Sequence, residues 1–272
     1  MPIENARYPD IAIGRGCLIT RLSHLECGVA KGGLALLFPA GARADVAAVE
    51  ALSQTHSFAA AACISSRRGL SEGWVELLAG GLTFDLSGLS PAEAEPVPVP
   101  RHVFGLPRDI DPDGWEACLL SPGPHLAAAG AMEPVVRGMA VLASALGEGL
   151  GAAAICWLPA ASWMDTTYFA RIVDGWSSGG AFPALGFSGM ERLRDGTIAS
   201  EGLAFFTGQE LRVEPRVGEA PADTVKLAVR LADRLVREGP IAEPGRLTGP
   251  DLESLYAEPS ADGRHVRLRR QI

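Results

Sequence analysis

The sequence predicts an α+β protein in which two similar strand–helix–strand–hairpin halves pack around one sheet-and-helix core. Three observations carry that expectation. Residues 202–215 alternate around Leu203 and Phe205, then around Leu211 and Val213, with Thr207 and Gly208 between them. Period-2 alternation is the mark of half-buried strands, and a glycine supplies the positive φ of a tight hairpin turn. Asp223–Arg237 has apolar positions Leu227, Leu231 and Leu235 on one helical face, with Asp223 as its cap. Finally, a strand-Pro-Ala-gap-Asp-helix pattern occurs twice along the chain.

Composition narrows the class. The chain has 272 residues, 47% hydrophobic and 21% charged, as expected of a globular protein with a sizeable core. Lys plus Arg is 24 and Asp plus Glu is 32, for a net charge of −8. That balance argues against a nucleic-acid partner, which needs a basic face for the phosphates. The basic run Arg264–Arg270 alternates, so it is expected to be an edge strand with arginines facing water, which discourages pairing with other chains. No run is apolar for the roughly 20 residues a membrane helix needs. The start of the chain lacks a basic segment followed by an apolar one, so a secretory leader is not expected and the cytoplasm is the expected compartment. The 5 cysteines, Cys17, Cys27, Cys63, Cys118 and Cys156, form no metal-ligand or disulfide pattern. They are expected to be small buried hydrophobes in a reducing compartment, with no metal and no cofactor implied.

In chain order, Ile11–Ile13 reads as a short strand, and Gly14-Arg-Gly16 is too short for a phosphate loop. Gly33–Phe38 is a continuous apolar run closed by Pro39, hence a buried strand. A helix follows from about Ala44 to Gln54, with Val46, Val49 and Leu52 inward. Phe58–Ile64 reads as a buried strand and Ser65–Gly69 as a loop. Trp74–Leu78 and Gly81–Leu86 form a hairpin around Ala79 and Gly80. Residues 87–112 hold Pro91, Pro96, Pro98, Pro100, Pro107 and Pro112, so regular structure is not expected and a surface connection is.

Trp115–Leu120 is a strand, Ser121–Pro124 a turn, and His125–Ala129 a further strand. Glu133–Leu146 is a helix opened by Pro134 and ended by Gly147 and Gly149. Ala152–Leu158 is a buried strand closed by Pro159, and Asp165 caps a helix to Trp176. Phe182–Phe187 reads as a strand, and Asp195-Gly196 turns a hairpin that leads into residues 202–215. The last helix stops at Gly239-Pro240.

The repeat pairs Leu36–Ala40 and Asp45 with Cys156–Ala160 and Asp165; at nearly the same separation Gly81–Phe84 pairs with Gly202–Phe205. In each copy the proline breaks a strand and the Asp caps a helix that folds back over the sheet. The organisation expected is an N-terminal segment 1–32, a first half 33–100, a linker 101–114 and a second half 115–272.

Candidates for chemistry are sparse. The 5 histidines share no motif, and Gly186-Phe-Ser188-Gly-Met lacks the spacing of a nucleophile elbow. Glu210 stands where alternation predicts partial burial, so its carboxylate must find donors, with Gln209 and Arg212 beside it. It either ties down the turn or serves as an acid or base with His125 in a cleft between the halves. Trp163, just ahead of a helix, is either a packing staple or an exposed binding anchor. Arg67 and Arg68, the proline-rich stretch and Trp163 are the candidate contact surface for a partner protein.

The segment from Gly202 to Val213, with Gly202, Gly208, Glu210 and Val213 at the family's spacing, resembles the bacterial domain-of-unknown-function family 4261. The helix Asp223–Arg237, Thr197 ahead of the motif, and the Trp157 and His125 segments upstream also resemble its layout. Leu203 stands where that family has Met, and Glu243-Pro-Gly245 departs from its turn. The resemblance covers about the last half of the chain and implies a cytosolic bacterial accessory or immunity-type protein with no established activity. The expectation is therefore a non-enzymatic binding protein, with a small-molecule enzyme using Glu210 and His125 as the alternative.

Overall fold

The computed structural model describes residues 32–271. The strand expected at Ile11–Ile13, the Gly14–Gly16 pattern, Cys17 and Cys27 lie outside the described residues. The elements are β1 (Leu34–Pro39), α1 (Val46–Ser53), α2 (His56–Ala59), β2 (Ala62–Arg67), β3 (Val75–Ala79), β4 (Leu82–Ser87) and β5 (His102–Phe104). Then come β6 (Trp115–Pro122), α3 (Glu133–Leu150), β7 (Ala154–Trp157), β8 (Ser162–Asp165), α4 (Thr166–Ser177) and α5 (Ala184–Phe187). The chain continues with β9 (Met190–Arg192), β10 (Ile198–Ser200), α6 (Ala204–Thr207), β11 (Glu210–Val213), α7 (Pro221–Glu238), β12 (Gly245–Thr248), β13 (Ser254–Pro259) and β14 (His265–Arg270). The α+β class is as expected.

Two sheets organise these elements. The 8-stranded sheet runs β2-β3-β4-β6-β1-β7-β8-β5, and the 6-stranded sheet β12-β13-β14-β11-β10-β9. β1 is antiparallel to both neighbours, with Leu34 opposite Leu120 of β6 and Trp157 of β7. Its run of apolar residues follows from burial on both faces. Leu34, Leu36 and Phe38 point into the main core beneath α1, α3 and α4. Ala35 and Leu37 point the other way, into a smaller cluster with Ala117, Cys156 and Trp163.

The proline-rich stretch does more than connect. Val97, Leu106 and Ile110 close over that second cluster, and Trp163 donates its indole N–H to the Pro98 carbonyl at 3.0 Å. A proline segment suits this role because it can cross a sheet face with few backbone donors left to satisfy. Trp163 is fully buried beneath it and is not an exposed anchor. β5, within the same stretch, adds a parallel strand to β8.

Caps fall largely where the sequence places them. Asp45 accepts the Ala48 N–H at 2.7 Å and Asp165 accepts the Tyr168 N–H at 2.6 Å. The last helix starts earlier than expected, at Pro221, so Asp223 lies in its first turn and Ala220 is the cap residue. α3 runs through Gly147 and Gly149 to a left-handed cap at Gly151. At Gly149 a Cβ would come within 2.5 Å of the Leu52 side chain, so the glycine serves a close approach of α3 to α1.

Several expected strands are helical turns. Phe182–Phe187 contains α5, His125–Ala129 is a 3-10 segment, and residues 204–207 form α6 in place of the first hairpin strand. One physical cause covers the three. In a strand, residues an odd number apart point to opposite faces. Phe205 and Phe206 are adjacent, yet both rings pack on Trp157, at centroid distances of 5.1 and 5.7 Å. Phe182 and Phe187 likewise meet at 6.2 Å, and Leu126 and Ala129 both face the core. No strand puts such pairs on one side; a helical turn does so for Phe205 with Phe206 and for Leu126 with Ala129, while Phe182 lies just ahead of α5. In the first half, Phe58 sits in α2, and β2 extends through Ser65 to Arg67 where a loop is expected. Cys63 is exposed, whereas Cys118 and Cys156 are buried.

β14 is interior rather than an edge. It lies between β13 and β11, antiparallel to the first and parallel to the second. The duplication is not confirmed. Gly81–Phe84 leads into strand β4, whereas Gly202–Phe205 leads into a helical turn, and β8 intervenes between Pro159 and the second helix. The main core is nonetheless one body: it runs from Leu34 and Phe84 through Trp157, Trp176 and Phe187 to Leu211, Leu231 and Leu268. Trp157 of β7 packs on Phe187 of α5 and on Phe205 and Phe206 of α6, the turns that lead into strands β9 and β11 of the 6-stranded sheet.

Candidate functional site

Glu210 opens β11 half-buried, as alternation requires. Its Oε1 accepts the Gly202 N–H at 2.8 Å and the Ala204 N–H at 3.0 Å, and its Oε2 accepts the Ser200 hydroxyl. The Ser200 oxygen in turn accepts the Leu211 N–H at 2.8 Å. These are the N–H groups that the turn into α6 leaves without helical partners. Gly202 makes the turn with φ +88°, and a Cβ there would meet the backbone of Pro159 and Ala160 at 3.0 Å. The carboxylate therefore fastens the turn that delivers Phe205 and Phe206 to Trp157. Gln209 does similar work, bonding Ile241 and Gly263 from a buried position.

The structure does not bring Glu210 and His125 together. His125 is exposed on the 3-10 segment against β4 and β6, and no hydrogen bond or ion pair links it to Glu210. Arg67 pairs with Glu50 of α1, and Arg68 lies 5.0 Å over the Trp74 ring. They stand beside β2 at one end of the 8-stranded sheet, while Trp163 on β8 is near the other end. Among the described residues no group of three or more His, Cys, Asp or Glu side chains is placed to hold a metal ion.

The side chains that do converge lie on the solvent face of the 6-stranded sheet. Leu211, Val213, Val266, Leu268, Leu255 and Ala257 turn one face toward α7. Alternation then sends Arg212, His265, Arg267, Arg269, Tyr256 and Glu258 to the opposite face. Register sets them in rows: Arg212 stands beside Arg267, Arg267 beside Glu258, and Arg269 beside Tyr256, which is also opposite Arg246. The Arg269 guanidinium lies 5.3 Å from the centre of the Tyr256 ring.

A cavity of about 330 Å³ opens on this face, lined by Arg212, Glu258, Ser260, His265 and Arg267. Arg212 makes no hydrogen bond or ion pair with the described residues, and its Nε is shielded from water without an acceptor. Arg267 is held at Nε by Glu214 at 3.4 Å, which leaves its terminal nitrogens open. The rim is a fixed turn: Ser260 donates to Asp262, and the Arg264 N–H donates to the same carboxylate. Those bonds, the Ser260 hydroxyl first, hold the Asp262 carboxyl below its usual range. The arrangement suits an anion: two forked cations face one carboxylate in a concave site. The sequence shows Arg212 and Arg267 in alternating strands; what it hides is the parallel pairing that puts them side by side.

No family model, curated protein or solved structure matches this chain.

Proposed function

We propose that the protein is a non-enzymatic bacterial accessory protein of the immunity type, acting in the cytoplasm by docking an acidic segment of a partner protein onto the exposed face of its 6-stranded sheet. The observation that carries this reading is the uncovered row Arg246, Tyr256 and Arg269 beside Arg212 and Arg267 on a chain whose net charge is −8. Opposite potentials steer and orient partners, and arginine and tyrosine are enriched where interfaces carry their energy. The overall negative charge opposes a long polyanion, which favours a short acidic protein segment over nucleic acid. The resemblance to family 4261 supports the same reading, and so does Glu210, whose lone pairs serve the turn around Gly202.

The test is co-expression with the acidic product of an adjacent gene, followed by size-exclusion chromatography and titration calorimetry. A stoichiometric complex is expected, weakened at least tenfold by the pair Arg246→Glu and Arg269→Glu and by raising the salt. Failure to form a complex, or equal affinity after the charge reversal, overturns the reading. So does tighter binding of single-stranded nucleic acid than of the acidic protein.

A further inference from the structure

We propose that the cavity bounded by Arg212, His265 and Arg267 is a binding site for a phosphate group. The inference does not depend on protein docking, because it rests on the pocket and on one arginine with nothing to bind.

A guanidinium hydrogen-bonds most strongly to oxyanions, and burying one of its N–H groups without an acceptor is costly. Arg212 is in that state at Nε, with every other charged side chain on this face exposed or engaged elsewhere. The backbone holds it there firmly, since β11 is paired on both sides, with β10 and with β14. Arg267 occupies the same register on the neighbouring strand. Paired strands are about 4.8 Å apart, so two guanidiniums rooted side by side can both reach one small ligand. A planar carboxylate is satisfied by one fork. A tetrahedral oxyanion presents further oxygens, and these match the second fork and the His265 ring, which alternation places on the same face two residues before Arg267.

Glu258 sets the selectivity. It stands opposite Arg267 across the β13–β14 pair. With Glu258 in the cavity wall and Glu214 on Arg267, the two guanidiniums are close to balanced in charge, and the unpartnered Nε of Arg212 is the donor left for a ligand. That balance retains a single phosphate and opposes a triphosphate, whose extra charges would meet Glu258. Ser260 is not counted as a donor to the ligand, because its hydroxyl is committed to the Asp262 turn.

The experiment is a titration of the full-length protein with inorganic phosphate, followed by calorimetry and by amide shifts in NMR spectra, at ionic strength fixed with chloride. Saturable binding is expected with Kd on the order of 1 mM. Arg212→Gln and Arg267→Gln should each weaken it at least tenfold while the urea midpoint of unfolding stays put. Arg246→Gln, outside the cavity, should leave it unchanged. Parallel titrations with phenyl phosphate and with a nucleoside triphosphate separate the sources. Equal binding of the monoester marks a phosphorylated small molecule as the ligand, and binding of inorganic phosphate alone marks the free ion; both support the site. Absence of saturation in the wild type overturns the proposal, as does unchanged affinity in Arg212→Gln or tighter binding of the triphosphate. A null titration leaves the protein complex unaffected, and a missing complex leaves the titration unaffected, so the two readings fail separately.

Discussion

Replacing Glu210 by Ala removes the acceptor that, among the described residues, serves three donors: the Ser200 hydroxyl and the N–H groups of Gly202 and Ala204. A hydrogen bond to a charged group contributes about 1.5–3 kcal/mol. Glu210 is half-buried, so water can reach part of what is vacated. The working figure is then about 1 kcal/mol per donor, or about 3 kcal/mol for the alanine variant. Glutamine keeps a carbonyl oxygen for both N–H groups and loses the acceptor at Ser200, so it should cost about 1 kcal/mol. Equilibrium unfolding in urea, followed by tryptophan fluorescence, reads both. With a slope of about 3 kcal/mol/M the alanine midpoint should fall by about 1 M and the glutamine midpoint by about a third of that. A double-mutant cycle with Ser200→Ala should show coupling, because Ser200 and Glu210 act as one unit. An alanine midpoint within about 0.2 M of wild type would refute the fastening role of this carboxylate.

Three further outcomes follow from the core. Trp157→Ala should cost about 3–5 kcal/mol, since the ring packs on Phe187, Phe205 and Phe206, whereas Trp157→Phe should cost less than half of that because its indole N–H has no acceptor to lose; equal losses would show that the N–H is bonded. Gly202→Ala should destabilise by more than about 2 kcal/mol, because φ is +88° and the obstructing atoms are backbone of Pro159 and Ala160, which cannot rotate away; a stable alanine variant would contradict the geometry. Burial pushes the Cys118 thiol up to about 12 and also raises Cys156. The unfolded chain loses those protons first as pH rises, so stability is full below about pH 8.5 and falls above it, by about 1.4 kcal/mol per pH unit for each thiol, until the folded thiol itself ionises. Cys118→Ser keeps the donor to the Gly88 carbonyl and should make the alkaline decline shallower; an unchanged slope would assign the decline to other groups.

The parts of the fold legible in the sequence are those fixed by local chemistry. Asp45 and Asp165 cap helices because a short carboxylate before a helix finds the free N–H groups of its first turn. The β3–β4 hairpin and the turn at Gly196 follow from glycine placement. What misled was apolar content read without parity. Phe205 with Phe206, and Phe182 with Phe187, were spaced for one-sided packing, and only a shared partner, Trp157 or its neighbours, makes that spacing decisive. Of the candidate site residues, Glu210 was legible as a carboxylate in need of donors, and the structural role of that need is what the turn supplies. The choice between a packing staple and an exposed anchor at Trp163 stayed open because nothing local reveals that residues 97–110 fold back over it. Arg212 and Arg267 escaped notice as a pair because their strands are parallel and α7, β12 and β13 lie between them in the chain.

The central position of β1 bears on how the chain is made. β1 leaves the ribosome before both of its partners, which start at Trp115 and Ala154. Until those residues emerge, Leu34, Leu36, Leu37 and Phe38 have both hydrogen-bonding edges and both faces unserved. Pairing over such spans is slow, and an apolar strand kept waiting is prone to join another nascent copy. Synthesis is thus most hazardous between the appearance of Phe38 and that of Trp157, and a chaperone that shields extended apolar segments should raise the yield most when it acts within that interval.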